Sequence, residues 1–142
     1  MDKLTRRAHA LAALALLVVV LSGCLGPESQ YLLDATNRLR ATNGRAALHE
    51  QEQVNARAQQ WADTLAAQGR LRHSNLRTLP VPFRQAAENV GYGATIQQVH
   101  AMLAASPAHR ANILNRAYTT VGIGTTRGRD GNIYAVEVFV SP

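Results

Sequence analysis

The chain has 142 residues and one cysteine, with 15 Lys plus Arg against 9 Asp plus Glu, a formal net charge of +6. A single cysteine excludes an intramolecular disulfide framework, so the fold must be held by its own packed core. The arginines are scattered and the excess is mild, which gives nucleic-acid binding little support but suits contact with anionic lipid or cell-wall polymer.

The chain opens with a targeting pattern. Lys3, Arg6 and Arg7 make a positive start, and Ala10 to Leu21 is an uninterrupted apolar run, shorter than the roughly 20 residues a spanning helix needs. Leu21-Ser22-Gly23-Cys24 closes the run and resembles the lipobox of bacterial lipoproteins, in which the chain is cut before a cysteine that receives diacylglycerol. We therefore expect a lipoprotein signal peptide over 1–23, a lipidated Cys24 with a short tether over 24–29, and one domain over 30–142. Thr5-Arg6-Arg7 is a weak hint of twin-arginine export. The implied location is outside the cell membrane, lipid-anchored and facing outward, or the outer membrane or periplasm of a two-membrane envelope.

From about Glu28 to Thr42, Tyr31, Leu32, Ala35 and Leu39 recur at helical spacing, with Asn37, Arg38 and Arg40 on the other faces. Asn43-Gly44 ends this helix. A second helix is predicted over Gln51 to Gln68: Val54, Ala58, Trp61, Ala62 and Leu65 form its apolar stripe, Trp61 as a core anchor, and Gly69 stops it. Arg70 to Gly93 shows no sustained period, carries Pro80 and Pro82, and reads as a long loop. Loops of that length in a small domain are usually functional, and this one holds His73-Ser74-Asn75 and Glu88-Asn89.

Thr95 opens a third helix, with Gln98 completing a capping box. Ile96, Val99, Met102 and Leu103 supply its apolar face, and His100 falls off that face into solvent. Ser106-Pro107-Ala108-His109-Arg110-Ala111-Asn112-Ile113-Leu114-Asn115 then reads as a short helix capped by Ser106, with Pro107 at its first position. His109 falls on its first turn, where the helix dipole disfavours a cation and leaves a neutral imidazole able to take a metal or a proton. Taken alone, His109 is equally well read as a histidine bonded to a neighbouring loop.

Val121 to Thr126 and Asn132 to Val140 read as strands joined by a Gly-rich turn around Arg127 to Gly131. In the second, Tyr134, Val136, Val138 and Val140 share one face. Glu137 lies opposite with Ile133, Ala135 and Phe139, where a carboxylate needs a partner or an edge position. Helices first and a hairpin last imply an α+β domain with helices packed on an antiparallel sheet.

Several of these segments together resemble the CAP superfamily (cysteine-rich secretory, antigen 5 and pathogenesis-related proteins) in its small bacterial form. They are the Asn37–Arg40 helix with Gly44, the alanine-rich helix around Trp61, His73-Ser74, Glu88-Asn89-Val90-Gly91-Tyr92-Gly93, Ser106 to Asn115, Tyr118 to Gly124, and Tyr134 to Phe139. The resemblance implies an α-β-α sandwich with a cleft lined by histidines and acidic residues. It assigns His73 and His109 as the cleft histidines, and as ligands in members that bind a divalent ion; Glu88 matches the glutamate of the family's GEN motif. Two imidazoles backed by carboxylates suit zinc, although closed zinc sites use four protein ligands, so the implied affinity is modest. Thr78 stands where many members carry a second cleft glutamate, for which Glu137 is a candidate substitute. Ala87 and Ala108 replace customary glycines, and Leu103 a customary tryptophan.

Three functional classes follow. The resemblance favours a non-catalytic extracellular binding module, monomeric and held to the membrane through Cys24, whose cleft (His73, Glu88, His109, Glu137) takes a divalent metal or a lipid, peptide or cell-wall ligand. A protease-like hydrolase of the cell envelope can also be drawn, with candidate catalytic residues His73, Ser74, Glu88 and His109, working through serine or a metal-activated water. No GxSxG or HExxH context accompanies it. The third class is structural: a His/Glu network pinning the long loop to the helix.

Overall fold

A computed structural model describes residues 25–142. The expected signal peptide over 1–23 and the expected lipidation site Cys24 lie outside the described residues. Four helices and four strands follow in the order α1 (Pro27–Thr42), β1 (His49–Glu50), α2 (Glu52–Gln68), β2 (Gln85–Gly93), α3 (Ile96–Ala105), α4 (Pro107–Leu114), β3 (Thr120–Arg127) and β4 (Ile133–Ser141). A 3-10 turn over Leu76–Thr78 interrupts the segment between α2 and β2.

The sheet runs β1-β3-β4-β2, with β4 antiparallel to both β3 and β2 and the two-residue β1 parallel to β3. Strand β4 is central and buried throughout, and its alternation sorts the core into two layers. Ile133, Ala135 and Phe139 face Leu32, Leu33, Val99, Leu103 and Ile113 of α1, α3 and α4. Tyr134, Val136, Val138 and Val140 face Val54, Ala58, Ala62 and Leu65 of α2. Helices on both faces make this the α-β-α sandwich that the sequence implied.

Helix α2 sits unusually close to β3. A Cβ on Gly122 would meet the Val54 carbonyl carbon, and one on Gly124 the Ala58 carbonyl, well inside van der Waals contact. Where β1 has ended, side chains of α2 serve the exposed edge of β3: Asn55 Oδ1 accepts from Ile123 N–H at 2.9 Å and Gln59 Oε1 from Thr125 N–H at 3.1 Å. Helix α2 ends as expected at Gly69, in the left-handed region at φ +62°.

The structure corrects several expectations. Gln85–Gly93 is a nine-residue strand and not part of a loop. It contains few β-branched residues and no clean alternation, and it is extended because it pairs along its whole length with β4. Arg40 is not on a solvent face; it is 2% exposed, one helical repeat beyond Thr36 on the buried stripe that starts at Leu32. Trp61 lies half-buried at the rim of the α2 layer instead of anchoring it. Met102 is half exposed, and His100 is partly buried, its Nδ1 enclosed and without a partner. Thr95 caps α3 through Gln98 N–H, whereas the Ser106 hydroxyl makes no cap bond on α4.

Candidate ligand cleft

Glu88 is the centre of the cleft. It sits on the edge strand β2 with its side chain almost wholly buried, and it accepts three hydrogen bonds: from Ser74 N–H at 2.8 Å, from the Ser74 hydroxyl at 2.5 Å, and from His73 Nδ1, in its Nδ1–H tautomer, at 2.9 Å. The 73–74 segment is thereby clamped onto β2, and His73 keeps its Nε2 for other partners while 62% of its side chain remains exposed. Asn75, next in the chain, caps the 3-10 turn by accepting from Arg77 N–H.

His109 approaches from the other side of the β2 edge, as the third residue of α4. Its pKa is lowered, first by burial and then by the positive charge of a protonated His73 nearby. The structure thus brings His73, Ser74, Glu88 and His109 to one neighbourhood at the sheet edge.

Glu137 does not join them. Register pairs it with Asn89, on the opposite sheet face from Glu88, and it is fully buried. Its partners are Thr36 Oγ1, donating at 2.5 Å, and Asn89 Nδ2 at 2.9 Å, and burial pushes its carboxyl pKa upward against those two bonds. The expectation that Glu137 replaces a cleft glutamate is therefore corrected: it supports the floor. Through Asn89, whose Nδ2 also reaches the His109 carbonyl at 3.2 Å and whose Oδ1 accepts from Asn112 Nδ2 at 2.9 Å, Glu137 holds the first turn of α4 against the sheet.

Sequence reasoning overlooked the residues that seat this helix. Arg40 donates to the carbonyls of Ile113 (2.7 Å) and Asn115 (3.0 Å) at the end of α4, and to those of Ala46 and Tyr118. The one available signal was spacing, since Leu32, Thr36 and Arg40 fall four residues apart.

Beside His109 runs a groove of about 690 Å³. Val90 to Gly93 form one wall, Val99, Met102 and Leu103 of α3 the other, and His109 lies at the rim. The large apolar side chains that the described residues leave exposed, Leu71, Tyr92 and Met102, all line it. They are thus concentrated in one concave strip and not scattered singly over the surface.

The profile of the Cysteine-rich secretory protein family (CAP) matches residues 33–140, and the chain belongs to that family. Among solved structures, an outer surface protein from Borrelia burgdorferi is similar at TM-score 0.70 and 18% identity, over 80% of this chain and 92% of that one. An extracellular SCP-domain protein from Bacillus anthracis follows at TM-score 0.69 and 22% identity, over 85% of this chain and 45% of that one. A cysteine-rich secretory protein from Staphylococcus aureus gives TM-score 0.66 and 22% identity, over 81% and 39%. The chain thus spans less than half of the latter two proteins. No curated protein sequence matches it significantly.

Proposed function

We propose that this CAP domain is an exported, membrane-anchored and non-catalytic binding module that takes its ligand in the groove beside His109. The observation that carries this reading is the state of Ser74. Its hydroxyl proton is directed into the Glu88 carboxylate, and among the described residues no Ser or Thr hydroxyl is bonded to an imidazole. A serine nucleophile needs a base to take its proton, and Glu88 is already committed to three donors that hold the loop. The groove supplies apolar area for a lipid or peptide ligand, with the His109 imidazole available to its polar end. Export is supported by the outer-surface and extracellular relatives and by the residue pattern up to Cys24.

The donor set suits a divalent ion only as an open site. Two neutral imidazoles would hold it, with Glu88 fixing the tautomer of His73 and water or ligand filling the other positions. Among the described residues no three His, Cys, Asp or Glu side chains gather as a metal-holding group. When bound, such an ion would polarise a ligand's oxygen.

The double variant His73→Ala/His109→Ala tests the reading: it keeps its circular-dichroism spectrum and loses zinc uptake measured by calorimetry. Unfolding of that variant irrespective of zinc would instead assign the pair a structural role. Anchoring is tested separately, because Cys24→Ser should release the protein from membranes and remove the acyl mass.

A further inference from the structure

A depression of about 840 Å³ lies away from the histidine groove, on the outer flank of α2. Its centre is Trp61. The indole Nε1–H donates to the Arg72 carbonyl at 3.0 Å, which fixes the ring, and two guanidiniums lie over it: Arg72 with its central carbon 4.3 Å from the ring centroid and Arg57 at 5.6 Å. Neither arginine has a carboxylate partner among the described residues, and Arg57 makes no side-chain hydrogen bond there. Arg57 lines the depression and Arg72 reaches it only across Trp61; the remaining wall is supplied by Gln53, Ala56, Gln60, Thr64, Thr78 and Pro80, with no acidic residue.

We infer that this flank is a second binding site, for an acidic polysaccharide whose sugar rings carry carboxylates. A guanidinium lying over an aromatic ring stays flat, weakly hydrated and fully charged, and its fork of N–H donors matches a carboxylate in two bonds. Two such forks beside a row of amide and hydroxyl side chains complement a chain of alternating carboxylates and hydroxyls. The depression is open and shallow, as an extended polymer requires. Nucleic acid fits less well: the guanidiniums lie over the indole face on which a base would stack, and two cations neutralise few phosphates.

The test is titration of the protein with oligogalacturonate, with neutral dextran and inorganic polyphosphate as comparison probes. Oligogalacturonate should bind, more weakly as salt rises, with at least a tenfold loss in Arg57→Gln/Arg72→Gln and a smaller loss, with unchanged salt dependence, in Gln53→Ala/Gln60→Ala. His73→Ala/His109→Ala should bind it normally, which separates this site from the groove. Equal binding of polyphosphate would reduce the flank to a charged surface and overturn the inference, as would binding unaffected by the arginine variants. Circular dichroism on each variant ensures that a loss is read from folded protein.

Discussion

Arg40, near the end of α1, donates through Nη1 to the carbonyl of Ile113 at 2.7 Å, joining two helices 73 residues apart in sequence. The carbonyl end of α4 is the negative pole of its dipole, so a buried guanidinium there satisfies orphan acceptors and charge together. Arg40→Met preserves much of the volume and removes every donor. We expect a loss of about 2–4 kcal/mol, from several buried carbonyls left without partners, read as a lower urea midpoint. Because α4 carries His109, zinc uptake should weaken in the same variant while it remains folded.

Glu88→Gln can keep its carbonyl oxygen for the two donors that share Oε1, Ser74 N–H and His73 Nδ1, and then places its N–H₂ against the Ser74 hydroxyl, which must turn to accept. The clamp on the 73–74 segment then loses the charge assistance of all three bonds. Stability should fall by about 1–3 kcal/mol. The diagnostic effect is on the ion: a His73 backed by a neutral amide in place of a carboxylate should weaken zinc binding by roughly 10–100-fold, measured by calorimetry against Ser74→Ala, which loses one hydroxyl bond and leaves His73 on Glu88.

Both His100 and His109 have pKa values pushed below that of a free histidine, by burial first in each case, then by Arg38 for His100 and by His73 for His109. The unfolded chain takes up these protons near pH 6.5 while the folded chain resists them. Stability is therefore fully present above that pH, falls as pH drops through it, and levels off below the folded pKa values. Glu137 acts in the opposite sense, because its raised carboxyl pKa favours the folded state as acid protonates it. His100→Leu removes one titration and one enclosed nitrogen without a partner. Its urea midpoint should decline less between pH 7.5 and pH 5 than that of the parent protein.

What could be read in advance was whatever is written in local periodicity. The two faces of β4, the stop at Gly69 and the Pro107 start of α4 all follow from spacing within one element, and each stands as expected. The errors share a different cause. Gln85–Gly93 is a strand only because β4 lies beside it, and Glu137 is tolerated in a central strand only because Thr36 and Asn89, 101 and 48 residues away, reach it. Arg40 and Trp61 depart from expectation through packing: the long cation is buried and not on a solvent face, and the large aromatic of the α2 stripe lies half-buried at the rim of the core. Within the cleft, His73, Ser74, Glu88 and His109 stand out by residue type, and Asn89 as a polar neighbour of Glu88, whereas the supporting bonds of Asn89, Asn112 and Thr36 do not, since a supporting amide or hydroxyl carries no signature of its own.

The spacing between α2 and β3 makes the last prediction the most severe. Gly122 lies against the Val54 backbone so closely that an added methyl group would fall 2.3 Å from the carbonyl carbon and oxygen and 2.6 Å from the Val54 Cγ1. No rotamer relieves a clash with backbone, so Gly122→Ala must push α2 away from the sheet. That movement would also lengthen the bonds from Asn55 and Gln59 to the β3 edge. Overpacking of a tight core costs about 1–3 kcal/mol, occasionally more, and the stretched edge bonds place this substitution at the upper end. A domain of this size should lose at least about 5 °C in Tm, whereas Gly26→Ala, which meets nothing within 4 Å, should leave Tm unchanged. Equal Tm values for the two variants would mean that α2 does not ride on the glycine strip, and that the helix is held by Ala62, Leu65 and the Asn55 and Gln59 bonds alone.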